Sequence, residues 1–73
     1  MARMEVKSEV NGTVWKIESA PGSRVAAGDV LLIIESMKME IAVHAPAAGT
    51  VAQILVSEEQ PVTEGQAVAV VEA

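Results

Sequence analysis

The clearest pattern in the chain is a pair of apolar runs around a polar centre. Val30-Leu31-Leu32-Ile33-Ile34 precedes Glu35-Ser36-Met37-Lys38-Met39-Glu40, and Ile41-Ala42-Val43 follows it. Short runs rich in branched residues predict strands, and so close a spacing predicts a hairpin. With Met37 and Lys38 as the central turn residues, Ser36 pairs with Met39, Glu35 with Glu40, Ile34 with Ile41, Ile33 with Ala42 and Leu32 with Val43. One face then carries Leu32, Ile34, Ile41 and Val43, a candidate core face with Met39 at its outer edge. The other face sets Glu35 against Glu40.

The same alternation of strand and turn occurs twice. Gly12-Thr13-Val14 superposes on Gly49-Thr50-Val51, an offset of 37 residues. Without a gap, Ile17 then meets Ile54, Val25 meets Val62, Gly28 meets Gly65 and Glu35 meets Glu72. Glycines mark turns, so their ordered spacing favours a true duplication over chance matching in a Val-rich and Ala-rich chain. Each half reads as a strand opening on Gly-Thr-Val, a polar loop (Ser19 to Ser23 or Ser57 to Pro61), a brief strand, a turn and a longer apolar strand. Such close punctuation leaves no room for a long helix. Two halves that cannot bury their apolar sides alone are expected to close face to face as an all-β sandwich or flattened β-barrel with approximate two-fold symmetry.

Composition narrows the picture. The chain has 73 residues, which predicts one small domain, 1–73, with its core over about 4–72. Phe and Tyr are absent and Trp15 is the sole aromatic, so twelve valines and other aliphatic residues must fill the interior. Trp15 superposes on Ala52, so the repeated core does not require a large ring there; structural packing is expected of it, with a partly exposed contact role as the alternative. There is no cysteine to form a disulfide or act as a nucleophile, and the single histidine, His44, offers no metal cluster. His44 is expected at a surface or barrel edge. A net charge of −5 argues against nucleic acid as a partner, no apolar run approaches a membrane span, and the cytoplasm is the expected location.

The hairpin tip is poorly chosen for folding. Like charges directly opposite one another destabilise a sheet, and the favoured two-residue turn asks both Met37 and Lys38 for positive φ, unless a longer, relaxed loop forms instead. Local violations of this kind concentrate at functional positions. Lys38, held between two methionines at the centre of the repeat, is therefore a candidate attachment point for a prosthetic group. Met37 is expected to be exposed; for Met39, core filling and exposure stay open.

The segment Glu35-Ser36-Met37-Lys38-Met39-Glu40, preceded by Pro21-Gly22-Ser23-Arg24-Val25-Ala26-Ala27-Gly28-Asp29-Val30-Leu31 and followed by Ala45-Pro46-Ala47-Ala48-Gly49-Thr50-Val51, resembles the biotinyl domain of biotin-dependent carboxylases. The resemblance runs from about Val6 to Glu72. It implies two four-stranded antiparallel sheets and a carrier without catalytic turnover. A biotin protein ligase would join biotin through an amide to Lys38, and the biotin would carry an activated carboxyl group between biotin carboxylase and carboxyltransferase sites. By position in the motif, Met37 and Met39 resemble the flanking methionines associated with carboxylation competence, and Glu35 resembles the acidic residue associated with ligase recognition. The gapless repeat leaves no room for the thumb insertion of some family members, so the chain resembles the unadorned domains at the ends of larger carboxylases or a free-standing small carrier, expected as a monomer.

Two other classes compete. A lipoyl carrier usually sets its lysine between Asp and Ala, which Met37 and Met39 oppose. An unmodified structural module lacks the displayed lysine motif.

Overall fold

The computed structural model describes residues 2–73; Met1, the first residue of the expected domain, lies outside the described residues. The elements are β1 (Arg3–Lys7), β2 (Gly12–Ile17), β3 (Arg24–Val25), β4 (Val30–Ser36), β5 (Met39–His44), β6 (Gly49–Ile54), β7 (Pro61–Val62) and β8 (Ala67–Glu72). They form two four-stranded antiparallel sheets, ordered β1-β8-β6-β3 and β5-β4-β2-β7. The result is a flattened sandwich rather than a closed barrel. Its longest connections between strands run only over 18–23 and 55–60, so no thumb interrupts the described residues.

The offset of 37 organises the whole molecule. It maps β2, β3 and β4 onto β6, β7 and β8, and it also maps β1 onto β5, a match hidden in the sequence because only Val6/Val43 is identical there. Backbone hydrogen bonds repeat in step: the Gly22 amide donates to the Val51 carbonyl at 2.7 Å and the Glu59 amide to the Val14 carbonyl, while the Glu18 amide reaches Leu31 at 3.0 Å and the Leu55 amide Val68 at 2.9 Å. The halves do not each form one sheet, as a simple face-to-face closure would have it. The short strands cross over, β7 pairing with β2 and β3 with β6, which interlocks the repeats.

Both halves bury the same positions. Val14 and Val51, Leu31 and Val68, and Ile34 and Val71 are fully enclosed. Irregularities in pairing at Leu31 and Val68 allow consecutive residues, Leu31-Leu32 and Val68-Ala69, to face inward. Gly12 and Gly49 open β2 and β6 where a Cβ would collide with the carbonyl oxygens of Glu35 and Glu72 respectively. Only glycine permits that approach, which packs the start of one strand against the end of another in each half.

The interlock also fixes the two ends of the 35 × 18 × 18 Å molecule. Asn11 links the last residue of β4, next to the turn, to the loop before β8: its carbonyl accepts from Ser36 Oγ at 2.7 Å and its Oδ1 from the Glu64 amide at 2.7 Å. From there β8 runs away to Glu72, so the hairpin tip and the described termini occupy opposite ends.

Candidate attachment site

The hairpin of β4 and β5 has the register expected from sequence: Ser36 pairs with Met39, Glu35 with Glu40, Ile34 with Ile41, Ile33 with Ala42 and Leu32 with Val43. Met37 and Lys38 are the two unpaired residues, with φ of 52° and 67°. Positive φ at both central positions gives the turn whose twist matches that of the strands, at a cost that Asn or Gly would largely avoid. The pairing of the flanking strands, the Asn11–Ser36 hydrogen bond and the Gly12–Glu35 approach together hold a conformation that Met and Lys would not choose alone.

Lys38 is exposed, and among the described residues it makes no ion pair and no side-chain hydrogen bond. Met37 is 92% exposed and Met39 63%. The exposure of Met39 settles the alternative left open by its position on the core face. Along that face of β5 burial falls from Val43 through Ile41 to Met39, because the last rung of the hairpin extends beyond the opposing sheet.

Glu35 and Glu40 are both exposed and directly opposite, and neither has a basic partner among the described residues. Their acidic pair lies one rung below the rung that frames the turn, so two uncompensated carboxylates flank the strands that carry Lys38. His44 is exposed five rungs down the same strand, where Nδ1 lies 2.9 Å from the Gly28 carbonyl. A carbonyl only accepts, so that nitrogen carries the hydrogen; His44 braces a loop and stands apart from Lys38. Trp15 is 48% exposed beside an irregularity in the β2–β4 ladder, so the packing role expected for it gives way to the partly exposed alternative. Leu55, unremarkable in the sequence, is 44% exposed; its only sequence signal is that it replaces the charged Glu18 of the other repeat.

No His, Cys, Asp or Glu cluster among the described residues could hold a metal ion. What the tip can do is present a primary amine for acylation. An amide-linked group needs an amine that another enzyme can reach, and Lys38 offers one on a hairpin turn, whereas the exposed Lys7 and Lys16 lie within strands. A symmetric all-strand scaffold that displays an exposed lysine at a hairpin turn is the architecture of a prosthetic-group carrier.

Comparison with known proteins agrees. Residues 4–71 match the family model described as "Biotin-requiring enzyme", the biotin/lipoyl attachment family. The chain is 37% identical over 67 residues to a biotinylated protein TB7.3 homolog of Mycobacterium leprae, covering 92% of this chain and 94% of that one. It is 36% identical over 62 residues to the biotin/lipoyl attachment protein of Bacillus subtilis, covering 85% of each. The Kluyveromyces lactis urea carboxylase structure superposes with a TM-score of 0.94 at 39% identity, covering 99% of this chain but 6% of the enzyme. The chain belongs to the biotin/lipoyl attachment family. It is a non-catalytic carrier domain of the kind that occurs within biotin-dependent carboxylases, with covalently bound biotin as its cofactor.

Proposed function

We propose that Lys38 is the residue to which a biotin protein ligase joins biotin, and that the loaded chain serves a biotin carboxylase site and a carboxyltransferase site in turn. The observation that carries this reading is the unpaired, exposed Lys38 amine at a turn whose two residues both hold positive φ. Biotin bound there supplies a ureido nitrogen that takes up a carboxyl group at one site and yields it at another.

The chain's own residues hold and present. The interlocked sheets fix the hairpin base, the Asn11–Ser36 contact pins the strand entering the turn, and the exposed methionines leave the lysine stem free to swing. Amide formation removes the positive charge of Lys38, so the Glu35/Glu40 pair then stands below a neutral arm. Among the described residues Glu35 and Glu40 are the charged groups next to the turn, and carboxylates favour the protonated amine, which leaves amine deprotonation to the ligase. Tethering keeps the cofactor at an effective concentration on the order of millimolar for partners within reach. The proposed compartment is the cytoplasm, where the ATP that drives acyl activation is supplied.

Co-expression with a biotin protein ligase followed by a streptavidin blot tests the proposal. Labelling is expected in the wild type and absent in Lys38→Arg at equal yield of folded protein. An adduct of lipoate in place of biotin at the same residue would reassign the domain.

A further inference from the structure

The two-fold repeat supplies an internal control for surface function, because Trp15, Glu35, Met39, Glu40 and Leu55 each have a counterpart in the other repeat. Among the described residues, the exposed large apolar side chains are those of Trp15, Met37, Met39 and Leu55. All four belong to the hairpin half. Met37 and Met39 form or flank the turn. Leu55 follows β6, with its amide bonded to Val68 at the start of β8, which is the hairpin end of that strand. Trp15 lies level with Ile33 and Ile34, three to four residues from the turn, or about 10–13 Å along the strands. Their counterparts under the offset of 37 are small or charged: Ala52 for Trp15, Ala2 for Met39 and Glu18 for Leu55. Charge is biased in the same way. Glu72 meets Arg3 in an ion pair of 3.5 Å, whereas Glu35, its counterpart, meets Glu40. One fold thus tolerates small or charged residues in place of Trp15, Met39 and Leu55 and a neutralised pair in place of Glu35 and Glu40, so apolar and acidic surface at these places is not required for folding.

We propose that Trp15 and Leu55, with Glu40, extend the docking surface for the enzyme that acylates Lys38, and that this partner brings a basic side chain to the Glu35/Glu40 pair and apolar contacts to Trp15 and Leu55. The inference rests on the reading of Lys38 as the acylated residue. Reach selects the acylating enzyme over those that use the finished arm. Before modification the arm is only a lysine side chain, so an enzyme acting on the amine must press its own surface against the tip. A standard interface covers about 800 Å² per partner, a disc of about 16 Å radius, which takes in Trp15 from a centre at Lys38; Leu55 is included because its partner Val68 lies at the hairpin end of β8. Apolar contacts enclosed within such a footprint dominate affinity, Trp above all, and a cation facing two uncompensated carboxylates steers encounter.

The test follows initial rates of biotin transfer by a biotin protein ligase, with folding checked by thermal melts. Trp15→Ala and Leu55→Glu are each expected to raise KM about tenfold while leaving kcat within about twofold. The counterpart changes Ala52→Trp and Glu18→Leu are expected to leave both parameters unaltered. Glu40→Arg is expected to lower kcat/KM and flatten its dependence on salt. In Lys38→Arg, which cannot be acylated, the fluorescence of the single tryptophan is expected to shift to the blue on titration with ligase. Unchanged kinetics in Trp15→Ala and Leu55→Glu, with no tryptophan shift, would overturn the surface while leaving attachment at Lys38 intact. A wild-type chain that the ligase never labels would instead remove the reading on which the surface rests.

Discussion

The hairpin end and the opposite end of this sandwich are built on the same eight-strand plan, yet they solve the same problem differently. At the far end β1 and β8 close with Arg3 against Glu72, an ion pair of the kind that steadies a sheet edge. At the hairpin end the equivalent rung sets Glu35 against Glu40, and the chain then turns through two non-glycine residues at positive φ. The far end shows what folding alone accepts. The departures at the hairpin end mark what presenting Lys38 requires.

Substitutions can break this comparison in graded ways. The largest effect is expected from Gly12→Ala, whose Cβ would strike the Glu35 carbonyl and approach Ile34 Cγ2 to 2.8 Å. A loss of about 2 kcal/mol, lowering the melting temperature by about 10 °C, is expected by calorimetry or circular dichroism. Gly49→Ala would set its Cβ against the Glu72 carbonyl and the Ala73 Cα, all backbone atoms. A loss of similar size, about 2 kcal/mol, is expected; a much smaller loss would show the far end to yield more readily than the hairpin end.

Smaller changes sharpen the contrast. Glu40→Arg would give the hairpin the ion pair of the far end, and a gain of about 0.5 kcal/mol that fades with added salt is expected from denaturant titration. Met37→Asn is expected to gain a similar amount, about 0.5 kcal/mol, because Asn tolerates positive φ better than Met. Glu59 offers a control away from the tip. At φ 72° it occupies the position that Gly22 occupies at φ 92° in the other repeat, so Glu59→Gly is expected to be neutral or stabilising by up to about 0.5 kcal/mol. Smallest of all, Arg3→Ala removes an exposed ion pair and is expected to cost no more than about 0.3 kcal/mol.

Much of this was legible in the chain because period and punctuation are local signals. Alternation from Leu32 to Val43 defined the hairpin register, and the need for positive φ at Met37 and Lys38 followed from having only two residues to turn with. The rest depended on features that no local pattern encodes. The equivalence of β1 and β5 was hidden because their outward residues diverge, Arg3 against Glu40 and Glu5 against Ala42, while alternation constrains only the inward ones. Burial of the consecutive Leu31 and Leu32 arises from an irregular rung, which breaks the simple period of two. Met39 follows the inward alternation yet is exposed, because the hairpin outruns the sheet opposite. Exposure of Trp15 and Leu55 emerged only once the strands were assembled.

The most direct test is the intact mass and peptide map of the purified wild-type chain after incubation with biotin, ATP and a biotin protein ligase. A single biotinyl adduct is expected, confined to the peptide that contains Lys38. An adduct on Lys7 or Lys16, or a folded chain that gains no mass, would contradict the assignment of the hairpin amine as the point of attachment.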